Sequence, residues 1–195
     1  MTTPLYPTFR KSVDDAIEQL IKQKVTPWSF LTAGHPFRIK SFDGRQIAYE
    51  GVGFGGSPRQ VFWSRYIEPF LEDLCVSEIT VAMSMAREKR VDAKLLLPEL
   101  QGLLSAGFRK VYARMADVDR LLMGKGFPDS VEPKPIGQVR AMDKFLDERI
   151  RAEIAMWKPK SRIEDWYEKN KFWVWAIGIL LSILLGIVGL LANLG

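Results

Sequence analysis

The chain is poor in the residues that build most catalytic and metal centres. Of its 195 residues, one is a cysteine and one is a histidine. A single cysteine, Cys75, forms no disulfide within the chain and cannot build a Cys-rich zinc site. Such usage is compatible with a reducing compartment. A single histidine, His35, excludes HExxH motifs and two-histidine metal centres. Any Ser-His-Asp or Cys-His site would have to use His35, which stands in a Gly34-His35-Pro36 turn. Met1 to Tyr6 has no basic cluster leading into an apolar run, so no signal peptide is expected. Internal repeats and low-complexity segments are also missing.

Charge is missing from one stretch entirely. Residues Phe172 to Gly195 hold no Asp, Glu, Lys or Arg, and 18 of these 24 are apolar. The overall figures of 47% hydrophobic and net charge +5 therefore average over two unlike parts. The rest of the chain has an ordinary soluble composition.

Ser182 and Asn193 are the only polar side chains between Phe172 and Leu194. At about 1.5 Å per residue that run covers roughly 34 Å of helix, enough for a ~30 Å hydrocarbon core. The sequence thus predicts a single transmembrane helix over 172–194 and a tail-anchored, single-pass topology. Lys158, Lys160, Arg162, Lys169 and Lys171 precede the run and nothing charged follows it. The positive-inside rule then puts the N-terminal domain in the cytoplasm, at the inner membrane if the source is bacterial. Trp166, Tyr167, Phe172, Trp173 and Trp175 are rings that settle at headgroup level. Gly178, Ser182, Gly186, Gly189 and Asn193 fall on one helix face, the pattern of a close-packed homo-oligomer in lipid.

The remaining residues read as mainly α with one small β-hairpin, an α+β class. Residues 1–123 form the domain. Thr8 to Lys24 is an amphipathic helix with Phe9, Val13, Ile17, Leu20 and Ile21 on one face and a possible Ser12/Asp15 capping box. Residues 37–52 alternate about an Asp43-Gly44 turn and predict the hairpin. Val61, Phe62, Tyr66, Phe70 and Leu74 predict a buried helix kinked at Pro69. Ile79, Met83 and Ala86 continue that period. Leu96 to Leu104 and Val111 to Leu122 predict two helices joined near Gly107. Residues 124–137, with Pro128, Pro133 and Pro135, read as a Gly/Pro loop. Residues 138–157 form a charged amphipathic helix striped by Val139, Met142, Leu146, Ile150, Ile154 and Trp157. It has three possible seats: the domain, another subunit or the membrane. Ser161 and Glu164 form a capping-box pattern for a juxtamembrane helix over 161–171.

Chemistry is sparse. Gly51, Gly53 and Gly56 match G-x-G-x-x-G, and Ser57 and Arg59 complete an anion-site candidate at a helix start. Yet the preceding strand belongs to a hairpin and no parallel strand follows, against a dinucleotide fold. Ser57, Pro58 and Gln60 equally read as N-cap, N1 and capping-box partner. Asp117 and Asp119 point apart on a helix, where Asp117 pairs with Arg114 or Arg120. Glu68, Glu72 and Asp73 read as a solvated face. Arg87, Lys89 and Arg90 are the only compact basic cluster, and residues 149–171 hold seven basic and four acidic residues. That surplus suits anionic headgroups better than nucleic acid.

No cofactor and no catalytic residue is implied. The expected function is non-enzymatic: a cytoplasmic helical domain binds a protein partner or signal and the tail fixes it to the bilayer as an oligomer. In a sharper version the tail acts as a membrane effector in bacterial defence or stress. The alternatives are a membrane-tethered nucleotide- or phosphate-binding domain or enzyme using residues 51–59, and a passive anchor for a soluble partner.

Overall fold

Proline sets the start of the first helix. A computed structural model describes residues 2–30, 37–49, 59–126, 135–158 and 162–192. Helix α1 (Tyr6–Leu20) opens with Pro7 in its first turn. There the missing N–H costs nothing and the fixed φ already suits a helix. Phe9, Val13, Ile17 and Leu20 recur three or four residues apart and are buried on one side. The expected local cap at Ser12 does not form. Instead the Ser12 hydroxyl donates to Glu78 Oε1 at 2.7 Å, a long-range contact. The helix then widens to a π turn over Ile21–Val25 and tightens to a 3-10 turn over Thr26–Phe30, burying Val25 and Trp28.

A π-helical segment, Arg59–Ile67, leads into α2 (Glu68–Lys89). The buried row is Trp63, Ile67, Leu71, Cys75 and Ile79, one turn apart. It lies one position beyond the row expected from Phe62, Tyr66, Phe70 and Leu74. The last three of those are only partly buried against the core. Pro69 does not kink the helix but sits in the first turn of α2, where proline is tolerated.

Helix α3 (Ala93–Met123) is capped by Asp92, whose side chain accepts from the Lys94 N–H at 2.9 Å. The sequence predicted two helices joined near Gly107; the structure has one. Gly107 marks a close approach rather than a break. A Cβ there would lie 2.9 Å from Ile17 Cγ1. Leu96, Leu100, Leu104, Phe108, Val111, Met115, Val118 and Leu122 form the spine of the core.

Helix α4 (Pro135–Met156) docks on this core and buries Met142, Leu146 and Ile150, with Trp157 just beyond its end. Of the three seats open to it, the domain is the one occupied. Ser105 Oγ donates to Asp143 at 2.6 Å across the α3–α4 seam. The Arg87 guanidinium lies over the Trp157 ring, 5.9 Å from its centroid. Because α4 begins at Pro135, the last part of the expected 124–137 loop is helical; residues 127–134 lie outside the described residues.

The hairpin consists of β1 (Phe37–Lys40) antiparallel to β2 (Gln46–Tyr49), in the register Phe37↔Tyr49 and Lys40↔Gln46. Gly44 turns it at φ +85°, and the Asp43 carboxylate accepts from the Ser41 hydroxyl and the Arg45 N–H. Those bonds, the Ser41 one foremost, hold the Asp43 carboxyl below its usual range. The Phe42 N–H donates to the Arg65 carbonyl at 3.2 Å, a carbonyl to which Pro69, four residues on, has no N–H to offer. The Phe42 ring meets Tyr66 and Phe70 edge-on at 6.1 and 6.2 Å. Of the strand residues, Arg38, Lys40, Gln46 and Ala48 have described side chains, and all four are exposed. The expected α+β class is corrected: among the described residues the fold is all-α but for this one short ribbon, which Phe42 ties to Tyr66 and Phe70.

A second correction concerns the end of the chain. Residues Met1–Trp157 form one compact unit and Lys158–Gly195 another. The second unit is built on helix α5 (Arg162–Ala192). Among the described residues, no helix is long and apolar enough to cross a membrane. The apolar side chains described on α5 run from Phe172 to Leu185. The expected transmembrane helix over 172–194, and the single-pass topology built on it, are withdrawn.

Candidate functional site

The most unusual surface lies on α5. Ten large apolar side chains between Phe172 and Leu185 are exposed. Phe172 is 69% exposed, Trp173 64%, Trp175 65% and Leu185 71%. Successive helix positions turn by about 100°, so Ile183, Leu184 and Leu185 point in three directions, and so do Ile179, Leu180 and Leu181. The helix is apolar all round rather than along one stripe. A helix of that kind requires an apolar surrounding on every side.

The start of this surface carries the aromatic and basic residues singled out in the sequence. Trp166, Tyr167, Trp173 and Trp175 are exposed. Lys158, Lys169 and Lys171 are exposed as well. Lys160 lies outside the described residues, and of Arg162 only the backbone is described, as the first residue of α5. Trp166, Lys169 and Trp173 share one face at spacings of three and four; Tyr167, Lys171 and Trp175 share the next. Ile163, 79% exposed, was missed in the sequence because it stands alone among charges.

The small-residue stripe is present in its first part. A Cβ on Gly178 would meet nothing within 4 Å. Trp175, Gly178, Ile179, Ser182 and Ile183 line an open groove of about 520 Å³. The Ser182 hydroxyl donates back to the Gly178 carbonyl at 2.9 Å, so its proton is used within the helix. Gly186 and Gly189 lie on α5 beyond the described side chains, and Asn193 lies outside the described residues.

No protein-family model matches the chain. No curated protein and no solved structure matches it either.

The other candidates offer less. Gly51, Gly53, Gly56 and Ser57 of the anion-site turn lie outside the described residues, as does His35. Arg59 opens the π segment. Asp117 and Asp119 diverge as expected: Asp117 pairs with Arg120 at 3.4 Å, whereas Asp119 turns inward and accepts from the Trp63 indole at 3.0 Å. Glu72 and Asp73 are exposed, but Glu68 is half-buried and accepts from Gln138 at 3.4 Å. Arg87 is committed to Trp157 and Lys89 to Glu88, which divides the basic cluster. Among the described residues no group of three or more His, Cys, Asp or Glu is placed to hold a metal ion.

The interior of the helical unit holds two titratable groups that the sequence did not flag. Burial pushes the Cys75 thiol up to about 12, with Glu72 adding to the shift. Burial also raises the Tyr112 phenol, helped by Glu68 and Glu72. The Tyr112 hydroxyl has no hydrogen-bond partner among the described residues.

Proposed function

We propose that this chain is a binding protein that works attached to a lipid surface. The unit of residues 1–157 takes a protein partner or signal, and α5 fixes it to the bilayer by its apolar surface. The reading rests on one observation, the exposure of apolar side chains on every side of α5 from Phe172 to Leu185.

The magnitudes support it. Fully burying a Leu, Ile or Phe side chain is worth about 1.5–3 kcal/mol. Half of that for four such residues is about 3–6 kcal/mol, the range in which one acyl chain gives marginal, reversible attachment. Ten exposed side chains carry binding past that range. A groove on a single protein partner would cover only one side of such a helix, whereas lipid covers all of it. Attachment of this kind does not require the helix to cross the bilayer.

Within lipid, the open face at Gly178 is where a second copy would approach, because nothing but hydrogen stands between its backbone and a neighbour. On the helical unit, Phe30 at 79% and Leu95 at 64% exposure are candidate anchors for a protein partner.

Vesicle flotation tests the attachment. The full chain is expected to rise with the vesicles, and a variant with Trp173, Trp175, Leu180 and Leu184 replaced by serine to stay behind. A folded full chain that remains at the bottom of the gradient overturns the reading.

A further inference from the structure

The fold gathers basic residues around the hairpin that are scattered in the sequence. We propose that this surface binds single-stranded nucleic acid, an activity beyond attachment through α5 and independent of it.

From the π turn that begins at Ile21 to the end of the π segment at Ile67, the chain holds seven basic residues against two acidic ones, Asp43 and Glu50. That surplus of five equals the net charge of the whole chain, +5, so the remaining residues balance. Glu50 lies outside the described residues and is included in the count. Asp43 is already committed: its carboxylate accepts from the Ser41 hydroxyl and the Arg45 N–H and pairs with the Arg45 guanidinium at 3.2 Å. The charged side chains that act on Asp43 are Arg45 and Arg65, both positive.

Arg38 and Lys40 stand on one face of β1, roughly 7 Å apart, opposite Ala48 and Gln46. At the turn end of the ribbon, Arg45 and the exposed Arg65 line one cleft of about 330 Å³. Phe42 lines it too, its ring exposed and edge-on to Tyr66. The Lys24 ammonium lies over the Tyr66 ring, 5.1 Å from its centroid. No ion pair to Arg38, Lys40 or Arg65 is found among the described residues. A protein interface keeps its charges at the rim around an apolar centre. The described outward side chains of the strands are Arg38, Lys40, Gln46 and Ala48, and only the Ala48 methyl is apolar. Guanidinium forks and ammonium groups match phosphates, and an exposed ring beside them gives an unpaired base a face to stack on. A duplex has no unpaired base to offer, which favours the single strand.

Full-length protein in a non-ionic detergent is titrated with fluorescent oligothymidylate at rising salt. Phosphate contacts from Arg38, Lys40 and Arg65 predict a log–log salt slope of about −2, or roughly 20-fold weaker binding between about 50 and 200 mM salt. Arg38→Gln, Lys40→Gln and Arg65→Gln together should remove most of that salt dependence and weaken binding at least about tenfold at the lower salt. Arg38→Lys with Arg65→Lys should retain the slope, and Lys144→Gln on α4 should bind like the parent. No binding at low salt overturns the site, and so does a glutamine triple that binds like the parent. Displacement of the oligonucleotide by poly-glutamate at equal charge assigns the surface to an acidic polypeptide and overturns the nucleic-acid site. A duplex of the same length that binds as tightly overturns the preference for a single strand. Vesicle flotation reads attachment separately, so either proposal can fail while the other stands.

Discussion

Ile17 of α1 lies against the bare backbone of Gly107 in the middle of α3. A Cβ at Gly107 would stand 2.9 Å from Ile17 Cγ1 and 3.1 Å from Cδ1. Two residues 90 positions apart in the sequence thus meet at a contact that only glycine permits.

Gly107→Ala follows from that contact. Alanine favours the helix by up to about 1 kcal/mol, but a clash in a packed core costs typically 1–3 kcal/mol. We expect net destabilisation of about 1 kcal/mol in urea unfolding. Ile17→Val in the same chain should relieve part of it, so the double variant is more stable than the sum of the two singles implies. Strict additivity would show that Ile17 is not the obstacle.

The Trp63 indole gives a second expectation. It is fully buried and donates to Asp119 Oδ1 at 3.0 Å. Asp119→Ala leaves that N–H without its acceptor in the interior, at a cost of about 1–3 kcal/mol. Asp119→Asn keeps an oxygen in place and should cost less. Equal losses for the two substitutions would contradict the assigned hydrogen bond.

Tyr112 should behave in the opposite sense. Its hydroxyl is buried with no partner among the described residues. Tyr112→Phe removes a desolvated polar group while keeping the ring, so stability should hold or rise, by up to about 1–3 kcal/mol. A clear loss would mean that the hydroxyl is bonded.

Alkaline pH should weaken the helical unit. Both Cys75 and Tyr112 have folded-state values raised by burial, so their neutral forms are favoured in the fold. For Cys75 the contribution is complete below the ordinary value of 9.0 and is lost as pH rises toward about 12. Denaturant midpoints between pH 8 and pH 10.5 should fall less for Cys75→Ala than for the parent. The thiol should also resist a maleimide in native buffer and react once urea unfolds the chain.

Much of this fold is legible in helical periodicity. Phe9, Val13 and Ile17, and later Met142, Leu146 and Ile150, lie at spacings that name their own buried face. What misled were residues whose usual local meaning was displaced by a tertiary partner. Gly107 read as a break because its neighbour Ile17 is 90 residues away in sequence. Ser12 read as a cap, but its acceptor is Glu78. The row before α2 was read one position early because a π segment shifts the phase that a 3.6-residue period assumes. The hairpin signal at Asp43-Gly44 was clear, yet alternation alone did not show that a single short ribbon would accompany an otherwise helical chain. On α5 the apolar composition was plain from sequence.

The central claim is that the rings of α5 enter lipid while the helical unit does not. Tryptophan quenching by brominated phospholipid measures this directly. In full-length protein with Trp173 and Trp175 as the only tryptophans of the second unit, bromine on the acyl chains should quench a fraction of the emission. That fraction should vanish when both are changed to Phe, because Trp28, Trp63 and Trp157 are buried in the helical unit. No quenching from Trp173 and Trp175 in a folded, full-length chain mixed with excess vesicles would contradict the claim.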